Sequence, residues 1–524
     1  MAGHLIQSPV EHFASTTPDH PAMSCQGSEL SYSDLNCKSN QLANALIRSG
    51  AAAQDRVAIY MHKSLDLGVA IYSILKAGCI FVPIDPFMPS DRLAYILEEC
   101  GIKHIICSSA LVKSLEKTYP DSTIKIFGFD DSIEQDNYMS WSEIATFPCS
   151  LPEIHIIDQD LGYIMYTSGS TGSPKGMMHT HHGCISYARW GAEHVSLSKS
   201  DRVASHAPLH FDLSIFDFFS TAQSGATVVL IPEAVTRFPA SWTQTIESER
   251  ISVVFTVPYT LITMAEQGVM DQRDLSSLRW ILYGGEPFPP AKLRTLMLQL
   301  KQVKFTNVYG PAEAPSCTCY DVPLPEEGNN DPIPIGIVSR NSADIIIDDN
   351  DEDCPDDSAG ELCIRSSTLT RGYWKRPDLN KKAYLLRSGF GHFPNVYYRT
   401  GDRVIRDSAG NLHFLGRVDR MIKVRGQRVE LDEVESVLSS HQAVFEAAAI
   451  TAPDGSDSNK IMAAIALKSG EHVDKTELLR YARARLSAYA VPAEFAFMPQ
   501  LPHNSSGKID RMLLTEQWPD TTLD

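Results

Sequence analysis

The chain has 524 residues, more than one compact core accommodates, so at least two domains are expected. Hydrophobic residues make up 43% and charged residues 21%, which is typical of a soluble globular protein. The formal net charge is −18 and no stretch forms a sustained basic stripe, which argues against nucleic acids and anionic membranes as partners, because both would be repelled.

The amino-terminal part of the chain alternates between helical and strand-like patterns. Apolar spacing predicts helices over residues 32–49 and 65–77, with a strand over residues 56–60 between them. Strands that alternate with helices predict parallel sheets covered on both faces. Short apolar runs of the buried-strand type occur at residues 79–84, 104–107, 124–127, 227–231, 253–257 and 279–283.

The later part of the chain changes character. Residues 344–365 are more purely β and contain a turn cluster at 348–357, which predicts a small β-barrel subregion. After a charged segment at 419–431, the pattern predicts helices over 432–440 and 475–486 and strands over 447–452 and 460–467. This last part predicts a separate small α+β domain. The expected fold is therefore α/β, with a large domain over residues 1–417 and a small one over residues 418–524.

A glycine- and hydroxyl-rich loop follows an apolar strand at residues 163–167. The loop runs over residues 168–176 and includes Lys175, and a helix-compatible segment begins at Met177 and Met178. Converging backbone N–H groups, hydroxyls and one lysine are suited to cradle a polyphosphate, whereas a Ser/Gly run alone could be a flexible linker. Pro174 before the lysine, and no Ser or Thr after it, exclude a Walker A loop.

The eleven cysteines are scattered, odd in number and placed in apolar runs such as those at Cys79, Cys107 and Cys363. Reduced thiols and a cytoplasmic location are therefore expected. The pair Cys317 and Cys319 has no second Cys/His pair nearby, so it does not favour a metal site. The amino terminus has no signal-peptide pattern, and the apolar stretch at 67–83 is interrupted by Lys76, which indicates a buried helix and strand.

The loop at residues 166–176 resembles the signature of the adenylate-forming superfamily, which includes acyl-CoA synthetases, luciferases and the adenylation domains of nonribosomal peptide synthetases. Further segments resemble this family in the family's own order and span nearly the whole chain. They lie at residues 76–86, 307–313, 360–365, 371–374, 398–402, 416–419 with Gly426 and Glu430, and 504–508.

The resemblance implies roles for individual residues. Tyr309 would stack on adenine, Asp402 would accept hydrogen bonds from both ribose hydroxyls, and Glu313 would hold Mg²⁺. Lys508 from the small domain would reach the carboxylate and α-phosphate, and Asp419 would be the hinge. Lys175 would join Lys508 and Glu313 as catalytic residues. The implied ATP-binding set is Thr167, Ser168, Gly169, Ser170, Thr171, Gly172, Gly285, Glu286, Asn307, Tyr309, Gly310, Asp402 and Arg417.

Structural alternatives exist for single motifs. Asp402 could simply form a turn, and Lys508 could be a solvated loop tip. The sequence also departs from the family at Ala312, where a threonine is usual and contacts phosphate or metal. One donor is therefore missing, which predicts weaker ATP handling without loss of activity, since a water could replace the hydroxyl.

The segment at residues 209–216 resembles the pocket motif of amino-acid-activating members, in which an aspartate at the position of Asp212 pairs with the substrate's ammonium group. A helix-capping role is the alternative for Asp212. Between Asp212 and Lys508 the implied pocket wall has no charge, which favours a compact apolar side chain. The set resembles that of proline-activating enzymes, so L-proline is expected, with Val, Ala and other small amino acids open. The implied pocket is Phe211, Asp212, Leu213, Phe216, Phe255, Leu282, Gly284, Val308, Ser316, Cys317 and Lys508.

The resemblance implies a ligase that uses ATP and Mg²⁺ and transfers the acyl group to a thiol. No carrier module follows Lys508 in this sequence, so a separate carrier protein bearing phosphopantetheine is the expected acceptor, and coenzyme A is the rival. The alternatives are a D-alanine–carrier protein ligase, a fatty or aryl acyl-CoA synthetase, and an inactive homologue that serves as a scaffold.

Overall fold

The structure is a computed structural model that describes residues 3–120, 123–129, 137–167, 174–329, 331–355, 357–389, 393–418, 420–454, 458–502 and 509–518. The chain divides into two compact units. The first consists of Met1–Pro86, Leu97–Tyr166 and Gly176–Val418. The second consists of Phe87–Ile96, Thr167–Lys175 and Asp419–Asp524.

The strands of the described residues are, in chain order, β1 (Pro21–Cys25), β2 (Ser28–Ser31), β3 (Arg56–Tyr60), β4 (Ile80–Pro83), β5 (His104–Cys107), β6 (Lys125–Phe127), β7 (Tyr138–Met139), β8 (Leu161–Thr167), β9 (Lys175–Thr180), β10 (Arg202–Ser205), β11 (Thr227–Leu230), β12 (Val253–Thr256), β13 (Trp280–Gly284), β14 (Lys304–Tyr309), β15 (Thr318–Asp321), β16 (Ile337–Val338), β17 (Ser342–Ile347), β18 (Gly360–Ser366), β19 (Tyr384–Ser388), β20 (Pro394–Arg406), β21 (Leu412–Arg417), β22 (Met421–Val424), β23 (Gln427–Glu430), β24 (Val444–Pro453), β25 (Asn459–Leu467) and β26 (Glu494–Phe497).

The α-helices are, in the same order, α1 (Ser8–Thr16), α2 (Tyr32–Arg48), α3 (Leu65–Lys76), α4 (Ser90–Cys100), α5 (Ser109–Thr118), α6 (Trp141–Ile144), α7 (His181–His194), α8 (Leu213–Ile215), α9 (Thr221–Gln223), α10 (Glu233–Thr236), α11 (Pro239–Ser248), α12 (Pro258–Gln267), α13 (Pro290–Gln299), α14 (Pro377–Ala383), α15 (Leu431–Ser439), α16 (Lys475–Arg483) and α17 (Arg511–Glu516). A π-helical turn at Phe216–Ser220 joins α8 to α9, and 3₁₀ turns occur at Met270–Gln272 and Ala488–Ala490.

Two large sheets form the body of the first unit. One has the strand order β7-β6-β5-β3-β4-β8-β9, and the other has the order β16-β15-β14-β13-β12-β10-β11-β1-β2. Parallel pairing predominates in both, with antiparallel strands at the edges of the second sheet. This confirms the α/β fold class predicted from alternating strands and helices.

A single apolar core connects these sheets. It contains Phe81 and Tyr163 from one sheet, Val253 and Leu282 from the other, and the buried face of α2. Helix α2 forms where its apolar spacing predicts, because Leu35, Leu42 and Leu46 recur on one side while the Ser31 hydroxyl caps the first turn by accepting from the Asp34 N–H at 3.0 Å.

The parallel strands β12, β13 and β14 end side by side. Their register pairs Leu282 with Phe255 and Gly284 with Val308, so the carboxyl ends of the three strands form one edge. In parallel sheets ligands bind beyond such carboxyl ends, so this edge is the place to examine for a site.

The predicted barrel subregion is an open sheet. Strands β17, β18, β20 and β19 pair in that order, and β21 pairs with β20, all antiparallel. Within the described residues, β17 and β19 are edge strands with one partner each, so the sheet does not close into a barrel. The turn cluster does connect β17 to β18 as predicted.

The second unit has its own small sheet, with the order β24-β25-β26, and a two-stranded ribbon of β22 and β23. Helix α15 packs Val434 and Leu438 into the same core as Ala449 of β24 and Ile465 of β25. The predicted strands and helices of this region all occur within a few residues of their predicted bounds.

One expectation about the cysteines is wrong. Cys37 on α2 and Cys149 form a disulfide across 112 residues, although reduced thiols were expected. The amide groups of Asn40 and Asn44 on α2 donate to the backbone carbonyls of Cys149 and Ser150, at 2.7 and 2.9 Å, and so place the two cysteines side by side. The sequence has no local signal for this long-range pairing. Among the residues described, no helix combines the length and apolarity needed to cross a lipid bilayer.

Candidate active site

The carboxylate of Asp402 is the centre of a polar cluster in the first unit. Strand β20 holds it at 5% exposure, and its register places it opposite Arg417 on β21. The Arg417 guanidinium donates to Oδ1, and the Tyr309 hydroxyl at the end of β14 donates to Oδ2 across 2.5 Å. Tyr309 and Arg417, both in the predicted ATP-binding set, are therefore each in direct contact with Asp402.

The backbone around Asp402 is held by its own strand neighbours. The Asp402 N–H donates to the Thr400 hydroxyl at 3.1 Å, and that hydroxyl donates to the Leu362 carbonyl at 2.7 Å. The Gly401 N–H donates to the carboxylate of Glu361 at 3.1 Å. These bonds fix the direction of the Asp402 side chain, as a ligand contact requires.

The Tyr309 hydroxyl remains protonated at any physiological pH. Burial raises its pKa well above the usual range, and the neighbouring Asp402 carboxylate raises it further. A neutral phenol has one proton to donate, and here that proton goes to Asp402. The aromatic ring keeps a partly exposed face, which suits stacking on a base.

Glu313, the predicted magnesium ligand, is fully buried. The Tyr373 hydroxyl donates to its Oε1 at 2.5 Å, and its backbone carbonyl accepts from the Thr370 N–H at 2.9 Å. No group of three or more His, Cys, Asp or Glu side chains in the described part of the chain could hold a metal ion. A single carboxylate fits Mg²⁺, which commonly binds one or two carboxylates together with the phosphates of a nucleotide.

A tight turn between Tyr309 and Cys317 shapes this side of the site. A Cβ atom on Gly310 would lie 2.4 Å from the Ser316 nitrogen and 2.7 Å from the Ala314 carbonyl oxygen, so only glycine fits. Ser316 itself has a φ of 51°, an unfavourable conformation for a serine that packing must hold in place. Ala312, where the family has threonine, is half-buried against the main core.

The end of β13 provides the next group of predicted nucleotide contacts. A Cβ on Gly284 would lie 2.3 Å from the Val308 carbonyl oxygen, and Gly285 has a φ of 94°. Glu286 accepts from the Tyr259 N–H at 3.2 Å, and Asn307 donates to the Pro334 carbonyl at 2.8 Å. Both side chains thus have structural partners at the edge formed by β13 and β14.

The predicted phosphate loop lies largely outside the described residues. Ser168, Gly169, Ser170, Thr171 and Gly172 belong to the segment that the structure does not describe.

The residues that flank the loop are described. Thr167 ends β8, and its hydroxyl is buried with no hydrogen-bond partner in the described part of the chain. Lys175 begins β9, is 8% exposed, and its Nζ lies 3.6 Å from Oε1 of Glu430.

The helix-compatible segment after Lys175 is a strand. Residues Met177 and Met178 lie within β9, and the helix begins only at His181. Backbone bonds from Met178 to Gly372 and from Trp374 to Gly176, at 3.0 and 2.7 Å, hold this strand. Strand β9 is the neighbour of β8 in the first sheet, and Met177 also forms a bridge to Tyr373. The prediction failed because so short an apolar run fits either a helix or a strand.

Five of the predicted amino-acid pocket residues meet in the main core. They are Leu213, Phe216, Phe255, Leu282 and Val308. The rings of Phe216 and Phe255 pack edge to face with centroids 5.5 Å apart. The wall they form is apolar, as the sequence predicted.

Asp212 precedes α8 and makes no capping hydrogen bond with its side chain, so the helix-capping alternative is not supported. The carbonyl of Phe211 accepts from the Ser214 hydroxyl at 2.6 Å and closes the turn around Asp212. Cys317 lies apart from the five apolar residues, in the core that underlies the open sheet, and its thiol donates to the Tyr309 carbonyl at 3.6 Å.

Two predicted residues lie outside the described part of the chain. They are Lys508, assigned to catalysis and to the pocket, and the hinge residue Asp419. Tyr373 was missed as a site residue, although its motif at 371–374 had been recognised. A single sequence contains no signal that pairs Tyr373 with Glu313, 60 residues away.

Comparison with protein-family models gives two matches. A model described as AMP-binding enzyme matches residues 10–374, and one described as AMP-binding enzyme C-terminal domain matches residues 433–508. Together they extend over most of the chain and over both units.

Individual relatives agree with these matches. An L-proline–[L-prolyl-carrier protein] ligase of Pseudomonas fluorescens is 30% identical over 513 residues, which cover 98% of this chain and 99% of that protein. Gramicidin S synthase 1 of Brevibacillus brevis is 31% identical over 98% of this chain but only 44% of its own length. Among solved structures, the amide bond synthetase McbA of Marinactinospora thermotolerans superimposes with a TM-score of 0.84 at 23% identity, over 98% of this chain and 100% of that one.

Proposed function

The chain belongs to the AMP-binding enzyme family, and on this basis we propose that it activates an amino acid as its aminoacyl-AMP and then transfers the acyl group to a thiol. The thiol would be the phosphopantetheine of a carrier protein. The proposed enzyme is thus an acid–thiol ligase that uses ATP, and L-proline is the proposed substrate.

The observation that supports this proposal most directly is the Tyr309–Asp402–Arg417 cluster. A ribose diol can be bound by a buried acceptor with two oxygens, an adenine by an aromatic face, and a phosphate by a guanidinium. The cluster provides all three groups, and Tyr309 and Arg417 both lie within hydrogen-bond distance of Asp402. Binding of ATP would replace the Tyr309 hydroxyl or the Arg417 guanidinium as a partner of Asp402, so the carboxylate would keep its hydrogen bonds.

The amine end of the substrate would bind Asp212. Asp212 directly precedes Leu213 of the apolar wall, and its carboxylate would bind the substrate's ammonium group by a charge-assisted hydrogen bond. The substrate side chain would lie against that wall, which has no charged group. A compact apolar amino acid fits, and the relative in Pseudomonas fluorescens that extends over the same length is named for L-proline.

The first half-reaction would bring two anions together. The substrate carboxylate attacks the α-phosphorus of ATP, a bond to pyrophosphate breaks, and no general base is needed because the nucleophile is already ionised. The demand is for positive charge and alignment, which Lys175, Arg417 and Lys508 would supply. Glu313 would hold Mg²⁺, which supplies charge neutralisation to the phosphates when bound.

The second half-reaction would need a different arrangement. The carrier thiol attacks the acyl carbon of the aminoacyl-AMP, and AMP leaves. We propose that the small domain at residues 418–524 moves about Asp419 relative to residues 1–417, so that Lys508 serves adenylation and the segment with Gly426 faces the arriving arm.

The proposal can be tested by ATP–pyrophosphate exchange. Each of the 20 L-amino acids, D-alanine, a fatty acid and an aryl acid would be offered to the purified chain with MgATP. We expect exchange with L-proline above the others. Exchange only with D-alanine, or only with an acid that lacks an amine, would replace the proposed substrate class, and no exchange with any of them would contradict the proposed enzyme.

A pair of variants separates the role of Asp212 from general damage. Asp212→Asn should reduce exchange with amino acids by about 100-fold, because a neutral amide cannot pair with the ammonium group. Asp274→Asn is the matched control: Asp274 lies in an exposed turn, accepts from the Ser276 N–H and lies 3.8 Å from the exposed Arg250 guanidinium, so exchange should be unchanged.

A further inference from the structure

Glu430 is a buried carboxylate for which the site described above has no use. It is the last residue of β23 and directly precedes α15. Although it occupies the N-cap position of α15, its side chain makes no capping hydrogen bond. A capping role therefore does not explain the residue, and its purpose follows from the charged side chains around it.

Two cations share one oxygen of Glu430. The Arg428 guanidinium donates to Oε1 from Nε at 3.2 Å and from Nη2 at 3.0 Å. The Lys175 ammonium lies 3.6 Å from the same oxygen. Arg428 is two residues before Glu430 on β23, so the two side chains share a face of the strand and the carboxylate is held from its own strand. All three residues belong to the second unit.

The ion pair of Lys175 and Glu430 is shielded from water. Its side chains are 10% and 8% exposed, whereas those of the surface pair of Arg250 and Asp274 are 66% and 57% exposed. A surface pair contributes little to stability, but a buried ammonium group that loses its anion is left with an uncompensated desolvation cost. Lys175 therefore requires a neighbouring anion at each stage of a reaction.

A second buried ion pair holds α15 independently of Lys175. Arg92, in the first turn of α4, donates to Oε1 of Glu433 at 2.5 Å, and these side chains are 9% and 1% exposed. Glu433 lies in the first turn of α15, three residues after Glu430. Because Arg92 holds the helix and Arg428 holds the carboxylate, Glu430 stays in position when Lys175 binds a different anion.

The proposed adenylation reaction takes an anion away from Lys175. In that reaction Lys175 supplies positive charge to the phosphates of ATP. When the bond between the α-phosphorus and its bridging oxygen breaks, pyrophosphate leaves with the electron pair of that bond. The buried ammonium group then needs a replacement anion, and the Glu430 carboxylate lies 3.6 Å from it.

We propose that Glu430 is a positioning residue that pairs with Lys175 once pyrophosphate has left, and so competes with pyrophosphate for the Lys175 ammonium group. The inference rests on the proposed function, because it requires Lys175 to bind the phosphates of ATP. Pyrophosphate that returns must displace Glu430 before it attacks the aminoacyl-AMP. The pair thus disfavours the reverse reaction and leaves the aminoacyl-AMP to the incoming thiol.

The test is Glu430→Gln in the full chain, measured by ATP–pyrophosphate exchange with pyrophosphate varied at saturating ATP and L-proline. The amide keeps the volume of the side chain and can still accept from Arg428, but it cannot neutralise Lys175. We expect the KM for pyrophosphate to fall about three- to tenfold and the KM for L-proline to stay unchanged. Damage to the fold would not improve the affinity for one substrate alone.

A single-turnover experiment gives a second measurement. Enzyme that carries preformed prolyl-AMP is mixed either with subsaturating pyrophosphate or with pantetheine, a small thiol that stands in for the carrier arm. In Glu430→Gln the prolyl-AMP should return to ATP about three- to tenfold faster with pyrophosphate, and its reaction with pantetheine should be no faster than in the wild type. The change in this partition reports on the reverse reaction alone.

Glu435→Gln is the matched control. Glu435 lies on the same helix, its side chain is 14% exposed, and it pairs with Arg420 and Arg511 at 2.7 and 2.9 Å. This variant loses buried ion pairs of a similar kind without a change at Lys175, so the KM for pyrophosphate should stay at the wild-type value.

If Glu430→Gln does not fold, Glu430→Asp provides the test. The shorter side chain keeps its charge but withdraws the carboxylate from Lys175, which weakens the attraction, so the KM for pyrophosphate should fall about twofold. An unchanged or raised KM for pyrophosphate in the variant that folds overturns the inference and leaves the proposed function in place. A wild-type chain that exchanges with no amino acid overturns both, and a selective fall in the KM for pyrophosphate supports the inference.

Discussion

Tyr309 and Asp402, 93 residues apart, share a hydrogen bond of 2.5 Å that joins the end of a parallel strand to the middle of an antiparallel one. The bond links β14 to β20 and so connects the edge of the proposed amino-acid pocket to the sheet that would bind the ribose. Arg417 holds the second oxygen of the same carboxylate. The candidate nucleotide site is therefore built from two sheets, and the hydrogen bonds of the Asp402 carboxylate connect them.

Asp402→Asn should reduce kcat/KM for ATP by about 10- to 100-fold. The amide has one oxygen in place of two and no charge, so it cannot bind both the ribose hydroxyls and Arg417. Exchange measured at varied ATP tests this. Asp344→Asn, which breaks the partly buried ion pair with Arg406 in the same open sheet, is the control and should leave the KM for ATP unchanged. Equal losses in the two variants would count against a ribose contact.

Tyr309 can be divided into its hydroxyl and its ring. Tyr309→Phe removes only the bond to Asp402 and should raise the KM for ATP about three- to tenfold. Tyr309→Ala also removes the stacking face and should raise it by about a further tenfold or more. The comparison uses the same exchange assay with ATP varied. Phe and Ala variants that behave alike would show that the ring does not contact adenine.

The sequence predicted those parts of the fold whose cause is local. Helix α2 and strand β3 occur where apolar spacing places them, because each buries one face in the common core. Strand β9 was missed because its short apolar run fits either a helix or a strand. The expected barrel is an open sheet because edge closure is not encoded in any single strand.

The candidate site likewise contains residues that local motifs predict and residues that depend on non-local contacts. Tyr309, Asp402 and Arg417 lie in recognisable motifs, and the structure brings them together. Tyr373 contacts Glu313 through a hydrogen bond that no spacing in the sequence reveals. The Cys37–Cys149 disulfide was missed for the same reason, since it depends on where two distant segments pack.

Glu313→Gln should raise the Mg²⁺ concentration needed for half-maximal exchange by about tenfold or more, because the amide is a weaker ligand for a hard cation. Tyr373→Phe should cause a smaller rise, since the Tyr373 hydroxyl only orients the carboxylate. Exchange is followed while Mg²⁺ is titrated at constant ATP, and EDTA should abolish it. The control is Glu249→Gln, a carboxylate paired with Arg202 away from the site. An unchanged Mg²⁺ requirement in Glu313→Gln would remove the residue from the metal site.

Asp217, on the π-helical turn next to Phe216, should make stability depend on pH. It is fully buried, and neither carboxylate oxygen has a hydrogen-bond partner in the described part of the chain. Burial raises its pKa well above the usual range, and the nearby Lys63 opposes this only in part. The folded protein thus binds this proton more tightly than the unfolded chain does. Its contribution to stability is complete below the ordinary Asp pKa and is lost as pH rises toward the folded pKa.

Asp217→Asn removes this proton linkage, so the variant should gain stability relative to the wild type as pH rises from 5 to 7.5, by up to about 1.4 kcal/mol per pH unit. Thermal unfolding across this pH range measures the stability difference, and the range stays below the pKa of Lys63, which burial lowers to about 8.

Asp201→Asn is the control. Asp201 is buried, and its Oδ1 pairs with Arg279 at 2.7 Å. Its pKa is held below the usual range by the hydrogen bonds of Arg279, Ser198 and Ser252, despite burial, so this variant should be less stable by the same amount throughout the range. If the stability difference between Asp217→Asn and wild type stays constant with pH, Asp217 is ionised in the folded protein. Lys63 would then compensate the charge of Asp217 while it also donates to the Ser205 and His206 carbonyls, at 2.6 and 2.8 Å.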